Sequence, residues 1–321
     1  MTIQVGVTDI TNAARRIKGT VRRTPLIDVS DHVNRPLALK CENLQVAGSF
    51  KIRGAYNLMA QLVSESPQRG VITYSSGNHG QAVAYAARRL GLSAVVVMPE
   101  TASPVKVHGA RYYGAEVLLE GTTSIARQKR AEVEATTRGF SVVPPFDHPE
   151  IIAGQGTVGL EILEYKQNPM TIYVPIGGGG LISGIAAAVK SRQPDVRVIG
   201  VEPVGSAAMA ASLAAGMPVT LESVSSIADG LLPVRPGDLT FAHVAALVDD
   251  IVTVDDEAIV KAVQWLASYA KLVVEPSGAA TIAAVLFTPG HTVDKDNIVA
   301  VISGGNISTE SFSSLLVRGV E

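Results

Sequence analysis

The stretch Thr171-Ile172-Tyr173-Val174-Pro175-Ile176-Gly177-Gly178-Gly179-Gly180-Leu181-Ile182-Ser183-Gly184 decides how the fold is read. Its first six residues form a largely apolar, β-branched run, as a strand buried on both faces requires. Its last four open an apolar helical stretch, so the four glycines stand at a strand-to-helix junction. Each ordered glycine costs roughly 0.5–1 kcal/mol relative to alanine, and four in succession need a reason. Wrapping backbone N–H groups around a phosphate at a helix N-terminus supplies one. The spacing matches neither Gly-x-Gly-x-x-Gly with a later ribose-binding acid nor a turn ending in Gly-Lys-Ser/Thr, which argues against dinucleotides and nucleoside triphosphates.

Working outward, Val196–Val201, Asp250–Val254 and Asn297–Ile302 repeat the short buried-strand pattern, separated by helical segments. An earlier series consists of Val71–Tyr74, Ala94–Met98, Glu116–Leu119 and Ser141–Val143, alternating with helices near Asn78–Leu90, Ser103–Arg111 and Ser124–Arg138. Thr8 and Asp9 cap a helix through Lys18, and a last helix lies near Thr309–Arg318. Strand-helix alternation predicts parallel sheets, and two series predict two of them. The break falls at Pro144-Pro145-Phe146, where each proline pushes its predecessor out of the helical region. The expectation is an α/β chain of two open, parallel, twisted sheets with helices on both faces. Its ligand cleft should lie between the carboxyl ends of the strands.

Composition agrees. Of 321 residues, 47% are hydrophobic and only 17% charged, against roughly 25% charged in an average soluble chain. Lys and Arg number 27 and Asp and Glu 29, a net charge of −2 without any polybasic run, so nucleic acid and anionic membranes are poor partners. No basic, apolar leader and no apolar run of the ~18 residues that span a bilayer is present, which predicts a cytoplasmic protein. The single cysteine, Cys41, has no partner for a disulfide or a Cys-x-x-Cys site and reads as a packed strand residue.

Three more glycine-bearing loops join the tetraglycine. Gly48-Ser49-Phe50-Lys51-Ile52-Arg53-Gly54 enters a helix, with Ser49 as its expected N-cap and Lys51 in its first turn. The positive end of a helix disfavours a cation, so Lys51 is either solvated or shifted toward its neutral, nucleophilic form. Tyr74-Ser75-Ser76-Gly77-Asn78-His79-Gly80-Gln81 lies between a strand and a helix, where free N–H groups suit a ligand carboxylate. In Val301-Ile302-Ser303-Gly304-Gly305-Asn306, Ser303 is either a helix cap or a hydrogen-bonding partner for a ring atom in the cleft.

In this order and spacing the four loops resemble those of the fold type II pyridoxal-phosphate enzymes, the tryptophan synthase beta subunit-like class. The resemblance is to the serine/threonine dehydratase (threonine ammonia-lyase) and serine racemase branch, and it covers nearly the whole chain. It extends through Ala153-Gly154-Gln155-Gly156-Thr157, Gly200-Val201-Glu202-Pro203, Ile227-Ala228-Asp229-Gly230 and Glu275-Pro276-Ser277-Gly278-Ala279-Ala280. It implies pyridoxal 5'-phosphate as cofactor and Lys51 as the Schiff-base lysine. Phe50 would then pack on the pyridine ring, Asn78 would bind the ring hydroxyl, and Gly177, Gly178, Gly179, Gly180 and Leu181 would hold the phosphate. Ser303 would face the pyridine nitrogen, and Ser75, Ser76, Asn78 and His79 would hold the substrate carboxylate. Ser76 would also stand on the face of Cα opposite Lys51.

The implied organisation is a large cofactor-binding domain of residues 1–47 and 145–321 and a smaller, mobile domain of residues 48–144. The implied reaction is dehydration and deamination of L-threonine or L-serine to a 2-oxo acid and ammonia, with 3-hydroxyaspartate dehydration or serine racemisation as alternatives. A neutral serine at the ring nitrogen cannot supply the charge of a carboxylate, which favours prompt loss of a β-substituent over transamination. Family members with a divalent cation use the glutamate of Gly-Val-Glu-Pro and a carboxylate six residues on. Here those positions are Glu202 and Ala208, so no metal site is assigned. Hydroxyaspartate would need a cation for its second carboxylate, for which Arg53, Arg127 and Arg235 are the candidates. The few residues after Ser303 lead us to expect no C-terminal regulatory domain, and relatives of that kind imply a homodimer.

Overall fold

The structure, a computed structural model, describes residues 3–67, 69–75, 77–122, 124–165, 171–289 and 297–319. The strands are β1 (Leu26–Asp28), β2 (Leu37–Cys41), β3 (Gly70–Tyr74), β4 (Ser93–Met98), β5 (Glu116–Leu119), β6 (Ser141–Val142), β7 (Thr171–Pro175), β8 (Arg197–Pro203), β9 (Asp250–Val254) and β10 (Ile298–Ile302). They build a six-stranded sheet in the order β1-β2-β10-β7-β8-β9 and a four-stranded sheet in the order β5-β4-β3-β6. Both are parallel apart from β1, an edge strand that pairs antiparallel with β2 (Leu26 opposite Lys40). The sequence reading expected parallel sheets throughout. Only eight residues separate β1 from β2, too few for the helical crossover that a parallel pairing needs.

The buried runs send alternate residues to opposite faces, as strand geometry dictates. In β7, Ile172 and Val174 enter one core with Val198, Val299 and Val301. Tyr173 enters another with Ile199, Leu37, Leu39, Cys41, Ala300 and Ile302. The smaller sheet divides likewise, Val71 and Val96 on one side and Ile72, Val95 and Val97 on the other. Cys41 is a fully buried strand residue, its thiol pushed up to about 12 by burial.

Helices α1 (Val7–Ile17), α2 (Lys51–Glu65), α3 (Asn78–Leu90), α4 (Pro104–Tyr112), α5 (Ser124–Arg138) and α6 (Pro149–Tyr165) occupy the first half. The second half contributes α7 (Gly180–Lys190), α8 (Ala208–Ala215), α9 (Asp238–Leu247), α10 (Asp256–Trp265), α11 (Pro276–Ile282) and α12 (Thr309–Val317). Helix α1 begins two residues earlier than expected. Gly6 is its N-cap, and the Asp9 carboxylate accepts from the Gly6 N–H at 2.9 Å. At α2 the expected Ser49 cap is corrected. Phe50 holds the N-cap position, while Ser49 is extended and bridges to Gly304, so its hydroxyl cannot reach back to the helix amides.

Topology then places the site. Strands β2, β10 and β7 are adjacent and parallel, so the segments leaving their carboxyl ends emerge side by side. These are the lysine loop, the Ser303 loop and the tetraglycine. The Ser75 loop leaves β3, inside the smaller sheet, and comes to them from the other side of the cleft.

Candidate active site

The four loops close a ring of direct contacts. Phe50 N donates to Ser303 O at 3.1 Å, and Gly305 N donates to Gly48 O at 2.9 Å. Asn306 Nδ2 donates to Asn78 Oδ1 at 2.9 Å, which joins the Ser303 loop to α3. Ser303 Oγ donates to Ser277 O at 3.4 Å, and Ser277 Oγ accepts from Gly230 N at 2.8 Å. A Cβ on Gly177 would lie 3.1 Å from Gly230 O, so this chain of contacts ends on the tetraglycine. The last arc runs through Phe146, whose ring covers Gly178, to Pro145, whose carbonyl accepts from Lys51 Nζ at 2.8 Å. A cavity of about 400 Å³ opens against Pro145 and Phe146, lined also by Tyr74, Glu132 and His148.

Lys51 occupies the first position of α2, as its spacing predicts, with its amine 5.2 Å from the centre of the Phe50 ring. Burial lowers its amine to about 8, and among the described residues no carboxylate counters the effect. Of the two readings left open for this lysine, the geometry favours the shifted, nucleophilic one.

The tetraglycine turn works by close approach. Gly179 is the N-cap of α7 at φ +95°, a left-handed backbone that side chains resist. A Cβ on Gly178 would lie 2.3 Å from the Phe146 ring. The Thr240 hydroxyl donates to Gly178 O at 2.6 Å and fixes that carbonyl. The Asp147 carboxylate accepts from the N–H groups of Asp238, Leu239 and Thr240 at the start of α9, securing Thr240 in turn. The first amide donation within α7 comes from Ser183 to Gly179 O, which leaves the N–H groups of the preceding residues for a ligand.

On the opposite side, Gly77 is the N-cap of α3, and Ser75 Oγ accepts from Gly77 N at 3.1 Å. Ser76 lies outside the described residues. His79 is buried, Nε2 donating to Val143 O at 3.1 Å. Burial, aided by the Lys51 charge, lowers its imidazole to about 3. A neutral imidazole committed to a carbonyl offers no charge to a substrate. What His79 has free for an anion is its backbone N–H at the helix start.

Asn78 is held at both ends of its amide. Nδ2 donates to Glu275 Oε1 at 2.5 Å and Oδ1 accepts from Asn306, leaving one N–H for a ligand. Ser303 caps no helix; its hydroxyl donates to Ser277 O. Glu275, Asn306, Thr240, Asp147 and Phe146 are site-building residues to which the sequence reading assigns no role. Glu275 and Asn306 stand inside quoted motifs, but their pairing with Asn78 joins positions about two hundred residues apart and has no local signal.

The three candidate arginines separate clearly. Arg53 is fully buried and spent on protein carboxylates: Nε and NH2 donate to Glu42 at 2.8 Å each, and NH1 to Glu161 at 2.7 Å. Arg235 pairs with Asp238 at 2.6 Å at the surface. Arg127 is buried, its NH1 donating to Thr122 O at 3.1 Å, and its Nε has no partner among the described residues. Among the described residues no carboxylate pairs with it, and burial alone lowers its guanidinium from the ordinary value. Glu202 caps α8 by accepting from Met209 N and Ala210 N at 2.9 Å each, and burial pushes its carboxyl up to about 7. Among the described residues no group of three or more His, Cys, Asp or Glu side chains is arranged to hold a metal ion.

A half-buried amine on one loop and a glycine turn on another, joined through Pro145 and Phe146 between the two sheets, suit an α/β enzyme of a phosphorylated carbonyl cofactor. The model of the family described as pyridoxal-phosphate dependent enzyme matches residues 17–304, and the chain belongs to that family. It is 42% identical over 315 residues to an L-threonine ammonia-lyase of Thermotoga maritima, covering 97% of this chain and 78% of that one. It is 38% identical over 311 residues to an L-threo-3-hydroxyaspartate ammonia-lyase of Saccharomyces cerevisiae, covering 96% and 95%. Among solved structures, maize serine racemase superposes with a TM-score of 0.92 at 39% identity, covering 97% of this chain and 96% of that one. A threonine deaminase of T.th. gives 0.89 at 40%, covering 94% and 99%. The cofactor is pyridoxal phosphate, and the residues fit it: an amine held only by a neutral carbonyl, a turn crowded at the positions a Cβ would take, and one spare amide N–H on Asn78.

Proposed function

We propose that this enzyme dehydrates and deaminates L-threonine and L-serine to 2-oxobutanoate or pyruvate and ammonia. The observation that carries the reading is the Lys51 amine, half-buried, without a carboxylate among the described residues and lowered to about 8, in a chain whose relatives include an L-threonine ammonia-lyase. A base whose pKa lies close to the operating pH is suited to proton abstraction. When bound, pyridoxal phosphate supplies the electron sink for the pair left at Cα. Lys51 would hold the cofactor, and its amine would take the Cα proton. The N–H groups at the start of α3, with Ser75, Ser76 and Asn78, hold the substrate carboxylate. Phe50 would pack on the ring, Gly177 to Leu181 would hold the phosphate, and Ser303 would face the ring nitrogen with a neutral hydroxyl. Residues 48–144 act as the smaller domain against residues 1–47 and 145–321, and the protein works as a cytoplasmic homodimer. No helix among the described residues is long and apolar enough to cross a membrane.

The deciding assay incubates the protein separately with L-threonine, L-serine, D-serine and both 3-hydroxyaspartate diastereomers, and measures 2-oxo acid, ammonia and residual enantiomer. Release of 2-oxobutanoate and ammonia from L-threonine is expected. Conversion of L-serine mainly to D-serine would overturn the reading.

Arg127 favours a second reading. A buried guanidinium without a carboxylate among the described residues suits a substrate that brings one, and Arg127 lies near the start of α5, which packs on β3 and β4. On that reading the preferred substrate is 3-hydroxyaspartate, and Arg127→Met lowers kcat/KM for it at least about tenfold while sparing L-threonine.

A further inference from the structure

Lys106 lies on α4, outside the ring, and is buried with its ammonium. A buried ammonium is tolerated only when paired, and here both partners come from the other sheet's side of the cleft. Nζ donates to Asp229 Oδ2 at 2.5 Å and lies 3.5 Å from Glu275 Oε2. Burial by itself would lower this amine, but Glu275 and Asp229 outweigh it and hold it above the ordinary lysine value.

The path of the side chain gives the pairing a consequence. A Cβ on Gly77 would lie 2.1 Å from Lys106 Cδ and 3.0 Å from its Cγ and Cε, so the methylene stem runs directly against the N-cap of α3. Each carboxylate at the far end serves the cleft. Asp229 is followed by Gly230, which touches Gly177 of the phosphate turn and is held by Ser277. Glu275 accepts from Asn78 Nδ2. One side chain therefore spans from the loop after β3 to the phosphate turn on one hand and to Asn78 on the other.

We propose that Lys106 is a positioning residue for the reaction, holding the N-terminus of α3 in register with the phosphate turn and with Asn78 across the cleft. The inference rests on the dehydratase reading above for its substrate. It assigns Lys106 no contact with substrate or cofactor. A substrate whose carboxylate lands on α3 restores the register with its own binding energy, so loss of the clasp is felt in KM rather than in kcat.

The test compares holoenzyme of the wild type, Lys106→Met and Asp229→Asn. Methionine keeps the stem against Gly77 and removes the charge, and Asp229, half exposed, is an accessible partner to neutralise. For L-threonine, K106M is expected to raise KM at least about tenfold and D229N at least about threefold, with kcat changed less than about threefold in both. Backbone hydrogen exchange over Gly77–Gln81, read by mass spectrometry on the same holoenzymes, is expected to quicken at least about tenfold in K106M. A lower melting temperature with unchanged KM and unchanged exchange would reduce Lys106 to a structural ion pair and overturn the proposal. So would a fall in kcat at constant KM. If K106M does not fold, D229N decides, and a KM equal to the wild type's refutes the clasp. If the wild type turns over no hydroxy amino acid, the dehydratase reading fails, yet the exchange comparison still supports or refutes the clasp.

Discussion

Lys51 Nζ donates to the carbonyl of Pro145 at 2.8 Å, across the point where the chain passes from the smaller sheet to the larger. A neutral carbonyl accepts the bond without stabilising the charge as a carboxylate would, so burial keeps the amine near 8. Lys51→Ala is expected to reduce kcat at least about a thousandfold, since both the covalent anchor and the base are lost. Borohydride treatment of the holoenzyme followed by peptide mass spectrometry should find the cofactor on Lys51, and recovery of that peptide unmodified would refute its role.

The same shift has a stability consequence with a definite sign. In the folded chain Lys51 loses its proton near 8, and in the unfolded chain near its ordinary value of 10.5. Between these pH values the unfolded state binds more protons, so stability rises with pH in that window. Below about 8 the cost of burying the charge is fully present. Cofactor-free wild type should therefore gain on cofactor-free Lys51→Met, in urea-midpoint comparisons, as pH goes from about 8 to about 10. A constant difference across that range would contradict the burial.

Arg53 tests stability without touching specificity. It holds Glu42 and Glu161 together beside Lys40, which donates to Glu161 at 2.6 Å. Arg53→Met strands the buried Glu42 carboxylate, and losing one partner of such a pair costs about 3–5 kcal/mol. Urea denaturation should show that loss. The ratio of activities toward L-threonine and 3-hydroxyaspartate should not move.

Gly178→Ala places a methyl 2.3 Å from the Phe146 ring, an overlap that only a displaced turn relieves. The turn's N–H groups then no longer converge. Cofactor affinity is expected to fall at least about tenfold, measured by fluorescence titration of the cofactor-free protein. Unchanged affinity would remove the tetraglycine from the phosphate site.

The most legible parts of the chain are those whose physics is local. Helix α3 starts and stops where its sequence predicts, Asn78–Leu90, because a glycine N-cap and a left-handed Gly91 punctuate it. Glu116–Leu119 and Asp250–Val254 coincide with β5 and β9. Ser49 reads as a cap because a serine just before a helix offers the right hydroxyl. A bridge to Gly304, more than 250 positions away, holds its backbone extended instead. His79 carries a plausible anion-binding signal, yet whether its imidazole is charged depends on what buries it, and Val143 settles that from the end of another strand.

The two series of buried strands, the tetraglycine at a strand end and a lysine in the first turn of a helix are all legible along the chain. These follow from residue size, branching and backbone freedom over a few neighbours. Folding in three dimensions sets which of the three candidate arginines has no carboxylate among the described residues, which carbonyl receives the Lys51 amine, and that Lys106 reaches Asp229 and Glu275 past Gly77. Ionisation and pairing depend on burial and on partners brought together by sheet order, and no local pattern records either.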